Sequence, residues 1–334
     1  NNSQTKINTM KLVLVISFVL MGLKFLAYYL THSNAILTDA IESIVNILAG
    51  SFALYSLYYA AKPKDEDHPY GHGKIEFLST GVEGGMVTLA GAAMLIKGIA
   101  SIFSPHDLEN VDIGLAISVF SGLVNFLLAR VLIKKGTALH SSTMVADGKH
   151  LLTDTWSSVG LVIGLVVIYF THLFWIDYVI TIGLGILIIY TGINLVKESI
   201  FNLLDKADYG KIEHLIAVLN TKRNPSWIDI HNLRVVKYGS VVHVDCHMTL
   251  PWYYTLEESH KEVDDLDKLA TTEFSHEIEF FIHADPCLPK SCSICEMKDC
   301  KVRKNDFVKR LEWNMSNVLP DTKHTLYLSF MCLG

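Results

Sequence analysis

The chain has 334 residues, of which half are hydrophobic and 19% are charged, and its net charge is −6. This acidic balance, without a basic stripe of interleaved aromatic residues, argues against a nucleic-acid-binding protein. The sequence has no Walker A loop, no His-Glu-x-x-His string and no Gly-x-Ser-x-Gly elbow, so we do not expect an enzyme or an ATP-driven pump.

The apolar residues are concentrated between positions 10 and 200. A membrane-spanning helix needs about 20 predominantly apolar residues. Six segments meet this length, and they predict a helical membrane domain embedded in the lipid bilayer. The segments are 10–31, 35–60, 76–103, 111–133, 145–171 and 176–200.

Lysine and arginine predict how these segments are oriented. They occur in the loops 61–75 and 134–144 and in the tail after residue 200, whereas the loops between the other spans have none. Cytoplasmic loops carry the excess of these residues. We therefore expect a multi-pass protein of the inner (plasma) membrane with both termini in the cytoplasm.

The tail reads as an α+β domain. A helix is predicted over 208–220 and strands over 229–238 and 241–250, joined by a hairpin at Tyr238-Gly239-Ser240. A second helix over 255–275 begins with a capping box, and a third strand follows over 278–284. We predict three domains: a six-span domain (1–204), a cytoplasmic α+β domain (205–286) and a Cys-rich extension (287–334).

Spans 2 and 5 carry polar side chains that are costly in hydrocarbon. Glu42 and Asn46 are four residues apart, as are His150 and Asp154, so each pair lies on one helix face. The same eight-residue pattern starts at position 39 and at position 147, as in an inverted repeat around a midplane site. Four N and O donors from two helices can surround one metal ion. The alternative is a set of buried polar groups that bond across the helices.

The first cytoplasmic loop predicts a second metal site. Asp65, His68 and His72 are separated by three and four residues, and Gly71 allows a tight turn between the two histidines. A solvated acidic loop is the alternative reading of the same residues.

The tail predicts a third metal site. His243, Asp245 and His247 alternate along one strand and therefore share a face. Several histidines and carboxylates on neighbouring elements can form a surface cluster that holds more than one ion. The alternative is a set of ordinary surface histidines. The further candidates are His231, His260, His283 and Asp285.

Four cysteines within fourteen residues predict a fourth site. Thiols in a cytoplasmic tail stay reduced, and four thiolates are typical of structural zinc. Iron–sulfur ligation and unligated thiols are the alternatives. The four residues are Cys287, Cys292, Cys295 and Cys300, whereas Cys246 and Cys332 stand apart without an assigned role.

Several strings resemble the cation diffusion facilitator family, and in particular its bacterial zinc/proton antiporters. The most specific is His68-Pro-Tyr-Gly-His72-Gly-Lys74-Ile-Glu76. The others are Thr38-Asp39-Ala40, Ala146-Asp147 and His283-x-Asp285-Pro-Cys287. The resemblance covers about residues 10–287. It implies a homodimer of six-span protomers with a ferredoxin-like cytoplasmic domain.

Position by position, the resemblance implies three ion sites and one interface contact. The transported ion falls at Glu42, Asn46, His150 and Asp154, and a loop ion falls at Asp65, His68 and His72. A binuclear cytoplasmic site falls at His231, His247, His260, His283 and Asp285. Lys74 and Asp205 match a charge pair that the family places at its dimer interface.

Two departures from the family pattern affect these expectations. Glu42 and Asn46 stand where the family usually has Asp or His and then Asp, so the site loses one negative charge. His150 favours zinc, iron or cobalt, whereas an oxygen-richer site admits manganese. The cysteine quartet and residues 305–334 have no counterpart in the resemblance.

The sequence therefore predicts a divalent transition-metal efflux transporter that exchanges metal for protons by alternating access. Zinc is the favoured cargo, with iron, manganese, cobalt or cadmium as alternatives. Imidazole must lose a proton to ligate a metal, so metal and protons compete for the same ligands. The rival reading is a membrane-tethered metal sensor in which the weakened span-2 pair no longer transports.

Overall fold

The computed structural model describes residues 2–31, 34–103, 111–171, 175–239, 241–274 and 278–326. The side chain of Asp39 and the whole of Cys332, both noted in the sequence, lie outside the described part. The chain divides into two compact units between Leu204 and Asp205. Each unit is described separately below.

The described residues of the first unit form six long helices, as the sequence predicts. Each has 27 to 30 residues, so each is about 40 Å long at 1.5 Å per residue and can cross a bilayer core of about 30 Å. The helices are α1 Asn2–Thr31, α2 Asn34–Ala60, α3 Ile75–Phe103, α4 Val111–Ala138, α5 Ser142–Thr171 and α6 Trp175–Leu203.

The surfaces of these helices suit lipid rather than water. Within the described residues, four stretches meet the length and hydropathy of a membrane span: Asn2–Leu30, Ala40–Ala60, Ile75–Ala100 and Thr181–Leu203. Large apolar side chains such as Leu89 and Ile96 are exposed on this unit. An apolar exterior of this extent identifies a helical membrane domain.

Helices α3 and α6 approach each other closely because glycines line their seam. A Cβ atom placed on Gly84 would lie 2.8 Å from the carbonyl oxygen of Gly192, and one on Gly192 would lie 2.7 Å from the carbonyl oxygen of Gly84. Small residues allow backbones to pack in this way in membranes. The seam therefore sets the rotation of α3, and with it the direction of the α3 side chains.

The second unit has the ferredoxin-like α+β order predicted from the sequence. It comprises α7 Tyr209–Lys222, β1 Asp229–Tyr238, β2 Val241–Leu250, α8 Leu256–Glu273 and β3 Ile278–Pro286. In the sheet, β1 pairs antiparallel with β2, and β2 pairs parallel with β3. The predicted capping box is present at the start of α8, where Thr255 and Glu258 bond reciprocally.

The C-terminal extension packs into the core of this unit. Trp313 is 1% exposed and belongs to the apolar cluster formed by α7, the strands and α8. The Asn220 side chain accepts from the Trp313 backbone N–H (3.0 Å) and donates to its carbonyl oxygen (2.7 Å). The Arg223 guanidinium lies 3.8 Å from the centre of the Trp313 ring. The extension thus completes the core beside α7.

Candidate functional site

The polar residues of α2 and α5 meet inside the first unit. Asn46 Nδ2 donates to Asp154 Oδ2 (2.7 Å), and Asn46 Oδ1 lies 2.8 Å from His150 Nε2. His150 Nε2 is 3.6 Å from Asp154 Oδ2. Both α5 residues are buried, with 2% exposure for His150 and 8% for Asp154. Asn46 therefore joins the two α5 residues in one polar cluster.

Glu42 is half-buried one turn before Asn46, and its charge interacts with that of His150. The second ring nitrogen of His150, Nδ1, is buried without a hydrogen-bond partner among the described residues. The structure thus brings together one imidazole, one amide and one carboxylate, with the Glu42 carboxylate one turn away from Asn46 on α2. This donor set fits a divalent transition-metal ion, which takes imidazole nitrogen and carboxylate oxygen ligands.

Two further buried carboxylates interact electrostatically with the membrane quartet, by which we mean Glu42, Asn46, His150 and Asp154. Asp147 is 5% exposed and lies one turn before His150 on α5, and Glu83 on α3 is 2% exposed. The charge of Glu83 interacts with those of Asp147 and Asp154. The sequence analysis did not consider Glu83. The signal was a lone carboxylate within an apolar span, which ordinarily marks a functional position.

The loop residues Asp65, His68 and His72 also come together. Asp65 Oδ1 lies 2.9 Å from His68 Nδ1, and Asp65 Oδ2 lies 3.2 Å from His72 Nε2. Gly71 has a φ of +84°, which permits the turn between the two histidines. The hydrogen bond from His68 lowers the pKa of the Asp65 carboxyl from its ordinary value, so the carboxylate form is available to a cation. The donor atoms of the three residues lie within 4.8 Å of one another.

The predicted cluster in the second unit is explained by strand register. His231 pairs with His247 across β1 and β2, and His247 pairs with His283 across β2 and β3. The three histidines therefore form a row across the sheet, and Asp285 lies two residues beyond His283. Asp285 Oδ2 is 3.3 Å from both His231 Nε2 and His247 Nδ1, and Asp285 Oδ1 is 3.5 Å from His283 Nε2.

Three other candidates of the tail lie apart from this row. His260 is exposed on α8, 3.8 Å from Asp264. His243 is buried near Glu279, at 3.4 Å. Asp245 is exposed and pairs in register with Arg234. His260 therefore stays a predicted ligand, because the described chain does not bring it to the row.

Two residues that the sequence analysis did not consider border the row. Asp229 is buried, with Oδ2 3.6 Å from His231 Nδ1, and Asp229 Oδ1 is 2.7 Å from His324 Nδ1. Burial lowers the pKa of His231, which favours the neutral imidazole that a metal requires. Lys323 Nζ lies 3.5 Å from Asp285 Oδ1. These contacts join the extension to the histidine row, a link that no local sequence pattern indicates.

The four clustered cysteines line one cavity with Trp252 and Arg303. The Trp252 backbone N–H donates to Cys287 Sγ (3.4 Å), and Arg303 donates to the carbonyl oxygens of Cys292 (2.9 Å) and Cys295 (3.0 Å). In the described chain, groups with all donor atoms within 4.8 Å are found at the loop and at the histidine row, and the cysteines form no such group.

Lys74 and Asp205 belong to different units, and each makes an interaction of its own. Their predicted pairing at a dimer interface stays a prediction.

Two family models match the chain. The model for the cation efflux transmembrane domain matches residues 10–204, and the model for the cytoplasmic domain of cation efflux proteins matches residues 204–287. The chain belongs to the cation diffusion facilitator family. It is therefore a cation efflux transporter of the membrane, as predicted, and not an enzyme.

Individual relatives agree with this family assignment. An uncharacterized transporter of Synechocystis is 32% identical over 72% of this chain and 77% of its own length. The manganese efflux system protein MneS of Bacillus subtilis is 30% identical over 80% of this chain and 91% of its own length. The cation-efflux pump FieF of Yersinia pestis is 24% identical over 80% of this chain and 89% of its own length.

Proposed function

We propose that this cation diffusion facilitator exports a divalent transition-metal ion, with zinc favoured, in exchange for protons. The observation that carries the proposal is the cluster of Asn46, His150 and Asp154 between two helices of the membrane unit. A buried imidazole and a carboxylate bind either protons or a metal ion. Opposite movement of the two across the membrane then needs only alternating access to one site.

Zinc is favoured because the cluster contains an imidazole. Imidazole ligands suit zinc, whereas carboxylate and water ligands suit manganese. The name of one relative, a manganese efflux protein, makes manganese the first alternative. Iron, cobalt and cadmium complete the set that the donor chemistry admits. The neutral amide of Asn46 weakens the site for every one of these cations relative to a carboxylate.

We propose the same membrane orientation and assembly as the sequence analysis predicts. Both termini face the cytoplasm because Lys and Arg are concentrated on that side. The protein acts as a homodimer, which the match to the cytoplasmic domain model supports. Metal at the row of His231, His247, His283 and Asp285 regulates the dimer when cytoplasmic metal rises, and the loop residues hold a further ion.

We also propose that Cys287, Cys292, Cys295 and Cys300 bind a structural zinc ion. Their shared cavity supports this, as does the N–H donor at Cys287, because such donors stabilise a thiolate. Burial raises the pKa of the Cys287 and Cys295 thiols, so a cation is needed to hold them as thiolates at neutral pH. Zinc content measured by mass spectrometry should fall by one ion per chain in Cys292→Ser, but not in Cys246→Ser. Iron and inorganic sulfide found in place of zinc would indicate an iron–sulfur cluster instead.

The deciding experiment for transport is metal-dependent proton flux in proteoliposomes, with zinc, iron, manganese, cobalt and cadmium in turn. Asp154→Asn should abolish the flux, because the variant keeps the shape of the side chain and removes its charge. Thr153→Ala, a control at the preceding position of α5, should leave the flux intact. Absence of flux with every metal, in protein that still binds zinc at the histidine row, would contradict transport and favour the sensor.

A further inference from the structure

Glu83 on α3 is a buried carboxylate with no structural explanation. Its exposure is 2%, and neither carboxylate oxygen has a hydrogen-bond partner among the residues that the structure describes. A carboxylate in the membrane is costly, and burial without a partner makes the cost larger. Such a group persists where a proton or a cation neutralises it.

The packing of α3 directs Glu83 away from the neighbouring α6. Gly81 and Gly84 both face α6, because a Cβ atom on either would collide with α6 atoms. Two residues correspond to a rotation of about 200° around a helix. Glu83 therefore lies almost opposite Gly81 on α3, away from the glycine seam.

Glu83 interacts electrostatically with residues in and next to the membrane quartet. Its charge interacts with those of Asp147 and Asp154, both on α5, which packs against α3. These two residues are seven positions apart, or about 10 Å along the helix axis. The interaction with both residues places Glu83 along the stretch of α5 that carries His150.

We propose that Glu83 is a further binding residue for the transported cation and supplies a third carboxylate to the site. This inference rests on the proposed transport function. Without Glu83 the site holds the carboxylates of Glu42 and Asp154 beside neutral Asn46. With Glu83 it draws donors from three helices, and its oxygen content rises.

A third carboxylate has a predictable effect on selectivity. Carboxylate ligands suit manganese, whereas imidazole suits zinc. Loss of Glu83 should therefore weaken manganese binding more than zinc binding. A residue that only maintains helix packing would affect the two metals equally.

The test is the half-saturating metal concentration for flux in proteoliposomes of the full chain, measured for manganese and for zinc. Glu83→Gln keeps the size of the side chain and removes its charge, whereas Glu83→Asp keeps the charge. Ser79→Ala is the matched control, because Ser79 lies one turn away on α3 and its buried hydroxyl also has no partner in the described chain.

We expect Glu83→Gln to raise the half-saturating concentration at least about tenfold for manganese and by a smaller factor for zinc. Glu83→Asp should recover most of the wild-type value, and Ser79→Ala should match the wild type. Wild-type values in Glu83→Gln would overturn this inference and leave the proposed transport function standing. So would an equal factor for manganese and zinc in Glu83→Gln, because a residue that only maintains helix packing would affect the two metals equally. Absence of flux in the wild-type protein would instead refute the transport function.

Discussion

Replacement of Trp313 by alanine tests how strongly the extension stabilises the second unit. Trp313 is buried in the core, and its ring lies against Arg223. A buried Trp→Ala change costs about 3–5 kcal/mol. Loss of the cation–π contact adds about 1 kcal/mol. The indole N–H has no hydrogen-bond partner in the described chain, so removing this buried donor offsets the loss of stability by about 1 kcal/mol. The net loss is about 4 kcal/mol.

Hydrogen exchange followed by mass spectrometry on the full-length protein measures this loss locally. Amides of α7 and β1 exchange through opening of the core that Trp313 fills. A loss of about 4 kcal/mol corresponds to exchange that is about a thousandfold faster. Because β1 carries His231, zinc binding at the histidine row should weaken in the same variant.

The matched control is Phe307→Ala, which removes an aromatic side chain of the same extension that is 46% exposed. Its effect should stay within about 0.5 kcal/mol. If α7 and β1 exchange at the same rate in Trp313→Ala, in Phe307→Ala and in the wild type, the extension does not stabilise the core and our reasoning fails.

Three further predictions concern the second unit. Lys323→Ala should tighten zinc binding at the histidine row several-fold, as measured in competition titrations. The reason is that the Lys323 ammonium group lies 3.5 Å from Asp285 and repels a cation bound there. Unchanged or weaker binding would contradict this. Burial raises the pKa of the Cys246 thiol to about 12, so the reactive thiolate form is scarce near neutral pH. Maleimide should spare Cys246 at pH 8 in the metal-free protein, and labelling as fast as at the clustered cysteines would refute the burial. The hydrogen bond with Asp229 raises the pKa of His324, so this contact stabilises the fold below the ordinary His pKa of about 6.5 and is lost as pH rises through the raised value. Exchange at the His324 amide, corrected for its intrinsic pH dependence, should therefore accelerate as pH rises through that range, and a flat corrected profile would contradict the assignment.

The histidine row shows how far sequence patterns reach. Alternation along β2 and the motif around Asp285 were readable locally, so His247, His283 and Asp285 were found. The order of the strands was also predictable from alternation and from the turn at Gly239. The registers that align His231, His247 and His283 depend on pairing across three strands, and only the folded sheet defines them.

The membrane site shows the same division. The four-residue spacings within α2 and α5 were sufficient to predict that each pair shares a helix face. Local spacing carries no information on which third helix lies beside α5. Glu83 therefore stayed unnoticed until the packing of α3, set by its glycine seam with α6, located it near Asp147 and Asp154.

The sequence by itself determined the six apolar spans, the α+β order of the tail and most candidate ligands. These features depend on hydropathy, periodicity and short spacings, which act within one or two turns or strands. Only the tertiary structure placed Glu83 beside the quartet, Lys323 and Asp229 beside the histidine row, and Trp313 in the core. These contacts join residues that are distant along the chain, so they follow from packing and not from local preference.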